Sequence, residues 1–294
     1  MKDQAARLRE MINQRRNNII EQRKTKGGPR VICVTSGKGG VGKTNFTLNL
    51  AIALSKENKK VVIIDADLGL ANIDIVMGVV PKYNLMNVIN GDKELEDILV
   101  NGPNGIKIIA GGSGITDLVD MPSERIGYVI EKFERLNNIA DIILVDTGAG
   151  LSRSVLSFVL AAEEVIIVAT PEPTAITDAY AMIKTIGKSG NKKKLSLLIN
   201  RVENINEGKI AFEKLKNASE KFLNIKVEKL GFLSEDISVS RAVKSQNPFL
   251  LQYPNSPVSK NIELIAMRII DETHGEGEFH TSGGFFNKVL SLFR

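Results

Sequence analysis

Apolar residues along this chain follow two rhythms. Seven stretches carry cores of four to six apolar, largely β-branched residues: RVICVTS, KKVVIIDAD, IKIIAGG, DIILVDTG, EVIIVATP, LSLLINR and VEKLGFL. Runs of this kind, without polar alternation, are expected of strands buried on both faces of a sheet. Between them, residues 43–56, 122–138, 174–188 and 207–222 repeat their apolar positions at helical spacing and have helical length. The alternation predicts an α/β fold, a doubly wound and mainly parallel sheet with helices on both faces.

The pattern changes at both ends, which divides the chain into a tail (1–29), a body (30–272) and a terminal segment (273–294). The tail is polar and basic, with Ala5, Leu8, Ile12 and Ile19 at helical spacing, and it ends at KGGP, where two glycines and a proline stop any helix. The terminal segment opens as a Gly-rich polar linker and closes with an amphipathic helix. Phe285, Phe286, Val289, Leu290 and Phe293 share one side of it, opposite Lys288, Ser291 and Arg294. So short a helix does not fold alone, and its apolar side needs a membrane interface, the body or a partner to cover it.

Charge sharpens this division. The net charge is +5, but residues 1–30 hold nine basic and three acidic residues, so the other 264 carry a net −1. Basicity therefore belongs to the tail, and the body gives no general argument for a nucleic-acid surface. A single cysteine, Cys33, excludes a disulfide framework and any cysteine-based zinc or iron–sulfur site, as expected in a reducing cytoplasm. No apolar run reaches the ~18 residues that span a bilayer; the longest candidate, VLSFVLAAEEVIIVAT, is broken by Glu163 and Glu164. The basic start is not followed by an apolar segment, so it does not read as a secretory signal.

The candidate chemistry begins at SGKGGVGKT, residues 36–44. Placed between a strand and a helix, a G-x-x-x-x-G-K-[ST] loop turns its backbone amides toward phosphate, with the lysine meeting the terminal phosphates and the hydroxyl binding Mg²⁺. Gly37, Gly39, Gly40, Val41 and Gly42 form that turn, and Lys43, Thr44 and Asn45 open the helix. Three carboxylates end neighbouring strands: Asp65 and Asp67 in VVIIDAD, and Asp146 in IILVDTGAG. Beside such a loop a strand-end aspartate suits Mg²⁺, usually through water, and that role falls to Asp146 together with Thr44. Asp65 would stiffen the metal's surroundings, and Asp67, on the turn beyond, would orient or deprotonate the attacking water. The loop also carries a second lysine, Lys38, which phosphate binding by the loop does not require.

These residues resemble a known family. GKGGVGKT is similar to the deviant phosphate loop of the MinD/ParA group of P-loop ATPases, DADLGLANID and DTGAG resemble its two switch segments, and LLINR resembles its adenine-recognition strand. The resemblance spans residues 30 to about 270. It implies Mg²⁺-dependent ATP hydrolysis by an ATP-dependent homodimer, in which Lys38 reaches the partner's phosphates; the alternative is that Lys38 binds phosphate within its own chain. It further implies that Asn200 meets the adenine edge with Arg201 nearby, and the lack of an N-K-x-D motif favours ATP over GTP. GFLSEDISVSRAV resembles the loop over the base, with Leu233 and Ser234 where the family often has Ile-Pro.

The ends of the chain indicate a branch. GGFFNKVLSLFR resembles the membrane-targeting helix of MinD, and KDQAARLREM resembles the D-Q-A-x-x-L-R motif of the FlhG (YlxH/FleN) family, flagellar MinD-like ATPases. PEPTAITDAYAMIK, residues 171–184, is also closer to that family than to MinD. The resemblance implies that Asp3, Gln4, Ala5, Leu8 and Arg9 contact an FlhF-type GTPase and stimulate it. It implies flagellar switch-ring proteins as further partners, a peripheral position at the inner face of the cell membrane in the ATP state, and no specific nucleic acid. A bare basic arm is the alternative for the tail. A MinD-type division-site regulator and a ParA-type DNA partition ATPase remain the alternatives for the whole chain.

Overall fold

The structure, a computed structural model, describes residues 28–67, 73–112, 123–190, 193–271 and 282–293. Eight strands form one sheet: β1 (Arg30–Ser36), β2 (Val61–Ala66), β3 (Leu99–Asn101), β4 (Lys107–Ile109), β5 (Ile142–Ala149), β6 (Glu164–Ala169), β7 (Lys194–Val202) and β8 (Glu228–Ser234). Their order is β3-β4-β2-β5-β1-β6-β7-β8, parallel throughout except for the antiparallel β3–β4 pair at one edge. The seven apolar runs all became strands. The eighth, β3, was not foreseen, because LVN is too short to show a period and is recruited by pairing with β4.

Twelve helices surround the sheet among the described residues. They are α1 (Lys43–Lys56), α2 (Ile73–Met77), α3 (Leu85–Ile89), α4 (Ser123–Glu134), α5 (Leu136–Ile139), α6 (Arg153–Ala161), α7 (Pro173–Lys188), α8 (Ile205–Leu223), α9 (Ile237–Lys244), α10 (Phe249–Gln252), α11 (Pro257–Asp271) and α12 (Ser282–Phe293). The helix expected over 122–138 is divided between α4 and α5.

Alternate strand residues feed two cores, one on each face. Ile32, Val34 and Ile63 join α1, α10 and α11 on one side, while Cys33, Val62 and Ile64 join α4, α6, α7 and α12 on the other. Both faces are covered, so β2 is buried at every position. The centre of the first layer is α1, in which Phe46 through Leu54 are all buried. Its buried Asn49 is satisfied, donating to Asn45 O and accepting from the backbone N–H of Leu250.

The terminal helix finds its cover on the body. Phe285, Phe286, Val289 and Leu290 are buried in the second core against α4 and α6. The Phe286 ring stacks on Phe133 at a centroid distance of 3.9 Å, and Phe285 lies 6.5 Å from Phe158. At the helix start Ser282 Oγ donates to Phe133 O, and its backbone N–H donates to Asn137 Oδ1. Gly283 faces Glu134 so closely that a Cβ would collide with it. The expected membrane-facing side is thus an internal face in this conformation, while the side chain of Phe293 lies outside the described residues. Burial of four such side chains is worth about 6–12 kcal/mol at most.

Candidate functional site

The site lies at the carboxyl ends of the central strands, the edge where ligands bind in open α/β sheets. Strand β1 runs into the loop 37–42, and α1 begins at Lys43 behind Gly42, which is left-handed at φ 91°. Gly40 is also left-handed, at φ 76°. Two glycines are fixed by proximity: a Cβ on Gly37 would strike the Asp178 carbonyl of α7, and one on Gly42 would strike Asn200 Nδ2. Gly39 has only Ala149 Cβ near, at 3.9 Å, and the Val41 side chain is buried in the core.

Asp146 sits fully buried within β5, paired in register with Asp65 of β2; the strand, expected to end at this aspartate, continues to Ala149 through its pairing with β1 and β2. Thr44 Oγ1 donates to Asp146 Oδ2 at 2.7 Å, Thr47 Oγ1 lies 3.2 Å from Oδ1, and the buried ammonium of Lys43 is 3.6 Å from Oδ1. Burial pushes the Asp146 carboxyl above its ordinary range, opposed by the Lys43 charge and by the Thr44 and Thr47 hydroxyls. A hard-oxygen pair, a carboxylate and a hydroxyl at a helix start, suits Mg²⁺ and would hold it.

Asp65 serves the neighbouring segment. Its Oδ1 accepts from the backbone N–H of Asp67 at 3.1 Å and its Oδ2 from that of Ile73 at 3.4 Å, so it ties Asp67 and the start of α2 to the end of β2. Asp67 itself is half-buried, and a Cβ on Gly148 would lie 3.3 Å from its Oδ1. Asp67 is thereby placed beside Gly148 of the DTGAG segment.

Lys38 has a partner within its own chain. Its Nζ donates to Glu172 Oε2 at 2.7 Å and to Thr174 Oγ1 at 2.9 Å, both at the start of α7. The hydrogen bond and charge of Lys38 hold the Glu172 carboxyl below its ordinary value. Glu172, Thr174, Thr47 and Asp178 carry no motif that marks them in the sequence. Glu172, Thr174 and Asp178 reach the loop from a distant part of the chain, and Thr47, though on α1 itself, acquires its role only through the distant Asp146.

Asn200, at the end of β7, donates from Nδ2 to Val41 O at 2.7 Å and accepts from the Arg201 backbone N–H at 2.9 Å. It braces the phosphate loop as well as facing the adjoining space. Arg201 is left-handed at φ 57°. A cavity of about 640 Å³ opens here, lined by Gly42, Asn45, Phe46, Asn200, Arg201 and Leu233 among others. Its size and its continuity with the loop fit a purine nucleoside. Ser234 also lines it, so the Leu-Ser pair in place of Ile-Pro still borders the cavity. Asp3, Gln4, Ala5, Leu8 and Arg9 lie outside the described residues. Among the described helices none is long and apolar enough to cross a membrane.

Comparison with known proteins agrees with this geometry. Residues 32–249 match the model of the CobQ/CobB/MinD/ParA nucleotide binding domain. The chain is similar to the antiactivator FleN of Pseudomonas aeruginosa, at 40% identity over 82% of this chain and 86% of that protein. It is also similar to the flagellum site-determining protein YlxH of Helicobacter pylori, at 35% identity over 99% of both chains. Among solved structures it resembles the septum site-determining protein MinD of Pyrococcus horikoshii in complex with Mg-ADP. That match has a TM-score of 0.67 and 27% identity, covering 84% of this chain and 98% of the other.

Proposed function

This chain belongs to the CobQ/CobB/MinD/ParA nucleotide-binding family, in the flagellar MinD-like branch with FleN and YlxH, and from that membership we propose a Mg²⁺-dependent ATPase that regulates flagellar number and placement. The observation that carries the chemistry is the grip of Thr44 and Lys43 on the buried Asp146 beneath the glycine loop. Mg²⁺, when bound, neutralises charge on the transferring phosphoryl group. Thr44 and Asp146 would hold it, Lys43 would turn from Asp146 to the terminal phosphates, and the loop amides would enclose them. Asp67 orients the attacking water and takes its proton. Asn200 and Arg201 border the base.

In this reading ATP joins two copies, with Lys38 of each reaching the other's phosphates, where positive charge lowers the barrier most. Its bond to Glu172 is no obstacle. Lys38 and Glu172 have side chains 38% and 58% exposed, and exposed ion pairs are worth only about 0–1 kcal/mol. The α12 face alternates between the body and the membrane interface. Two helices on one dimer bind lipid far better than one, through effective concentration. The tail contacts an FlhF-type GTPase through Asp3, Gln4, Ala5, Leu8 and Arg9, and the flagellar switch ring supplies further partners.

The direct test is light scattering and phosphate release with ATP and Mg²⁺. The wild type should dimerise and hydrolyse, and Asp67→Ala should accumulate as an ATP dimer with slowed turnover. A monomeric Asp67→Ala under saturating ATP would count against the scheme.

A further inference from the structure

Three groups hold the Asp146 carboxylate, and ligand binding recruits two of them. Lys43 is drawn to the phosphates and Thr44 to the metal, an argument that rests on the nucleotide reading above. Thr47 remains. It lies one helical turn beyond Thr44 on α1, so both hydroxyls face β5, and each reaches a different oxygen of Asp146.

Thr47 is fully buried, and its single proton has two acceptors, Asp146 Oδ1 at 3.2 Å and the Lys43 carbonyl at 3.1 Å. The second contact is the ordinary back-bond of a threonine inside a helix. The near-equal distances describe a shared proton, and the Lys43 ammonium beside Oδ1 explains the division, because it already compensates the carboxylate there. When that ammonium turns to phosphate, the carboxylate becomes the stronger acceptor and the hydroxyl shifts toward it.

We propose that Thr47 is a positioning residue for Mg²⁺: its hydroxyl fixes Asp146 Oδ1 while the nucleotide is bound, so that Oδ2 and Thr44 keep facing the metal. Thr47 touches neither metal nor nucleotide. Its effect is therefore on the Mg²⁺ requirement and leaves nucleotide binding without metal unchanged.

The test measures binding of a fluorescent ADP analogue to the full chain, first without Mg²⁺ and then across a Mg²⁺ titration. Wild type, Thr47→Val and Thr47→Ser are compared, with circular dichroism and thermal melting as folding controls. The valine keeps the shape of the buried side chain and removes only the hydroxyl. Metal-free ADP affinity should agree within about twofold in all three, while the Mg²⁺ midpoint rises about tenfold or more in Thr47→Val, as loss of an outer partner of a metal ligand typically does. Thr47→Ser should restore the wild-type midpoint, and steady-state hydrolysis by Thr47→Val should recover most of kcat at saturating Mg²⁺.

A wild-type midpoint in Thr47→Val would overturn the proposal, as would Thr47→Ser behaving like the valine variant. If Thr47→Val does not fold, Thr47→Ala against Thr47→Ser makes the same comparison. A wild type that binds no ADP, with or without Mg²⁺, would instead remove the nucleotide reading itself, and ADP binding with no gain from Mg²⁺ would overturn the metal role of Asp146 and this inference with it.

Discussion

Lys38 Nζ lies 2.7 Å from Glu172 Oε2 in the same chain. The lysine that distinguishes this phosphate loop from the ordinary form is therefore paired within its own chain, with a carboxylate at the start of α7. Thr174 Oγ1 adds a second acceptor at 2.9 Å. Since α7 also touches Gly37 through Asp178, loop and helix start form one unit.

Removing that carboxylate should free Lys38. With Glu172→Gln in an Asp67→Ala background, the protein concentration for half-maximal ATP dimerisation should fall by up to about thirtyfold, because each dimer breaks two exposed ion pairs worth about 0–1 kcal/mol apiece. Sedimentation equilibrium with ATP and Mg²⁺ reads this directly. A higher midpoint would mean that Glu172 supports the dimer.

Gly42→Ala should lower both stability and nucleotide binding. The added Cβ meets Asn200 Nδ2, and the left-handed φ of 91° disfavours any side chain. A strained left-handed residue costs about 1–3 kcal/mol of stability, which urea unfolding reads, and a loop that shifts to relieve it displaces its phosphate-binding amides, so a weaker ADP affinity is expected by equilibrium titration.

Phe286→Ala tests the docked position of α12. The ring stacks on Phe133 inside the core, and losing a buried phenylalanine costs about 3–5 kcal/mol. Urea unfolding should show a lower midpoint. A variant within about 0.5 kcal/mol of wild type, as at an exposed position, would place the helix off the body in solution. Vesicle flotation after deletion of residues 285–294 then asks whether the same face is the lipid anchor, and retained flotation would exclude it.

Lys193 predicts a pH effect. Its ammonium donates to Leu160 O at 2.7 Å and to Ala162 O at the end of α6. Burial lowers it to about 8, with the Lys288 charge acting in the same direction and Cys33 and Glu163 against it. Below pH 8 both folded and unfolded chains hold the proton. Between about 8 and the ordinary value of 10.5 the unfolded chain holds more, so stability rises with pH in that window. The unfolding free energy of wild type should therefore gain on that of Lys193→Met as pH rises through 8, and a constant difference would show that Lys193 titrates normally in the fold.

Strands, the long helices and the phosphate loop were legible because each is written in adjacent residues. VVII and IILV have no polar face to leave exposed, which commits them to a sheet covered on both sides. SGKGGVGKT sets its own turn through glycine and starts a helix with Lys43 and Thr44. The same local logic put Asp65 and Asp146 after the apolar cores of their strands, where the parallel register makes them neighbours, although β5 runs on to Ala149.

What the tertiary structure alone decided concerns pairs far apart in the chain. An amphipathic helix states that GGFFNKVLSLF needs an apolar cover, yet whether lipid or the face of α4 and α6 supplies it depends on Phe133 and Phe158, more than a hundred residues away. Lys38 meeting Glu172, Gly42 meeting Asn200, and Thr47 meeting Asp146 are likewise set by how β1, β5, β6 and β7 lie side by side. Periodicity and motif encode what a segment must bury or turn, because those depend on local sterics and solvation; they do not encode which distant surface arrives to meet it.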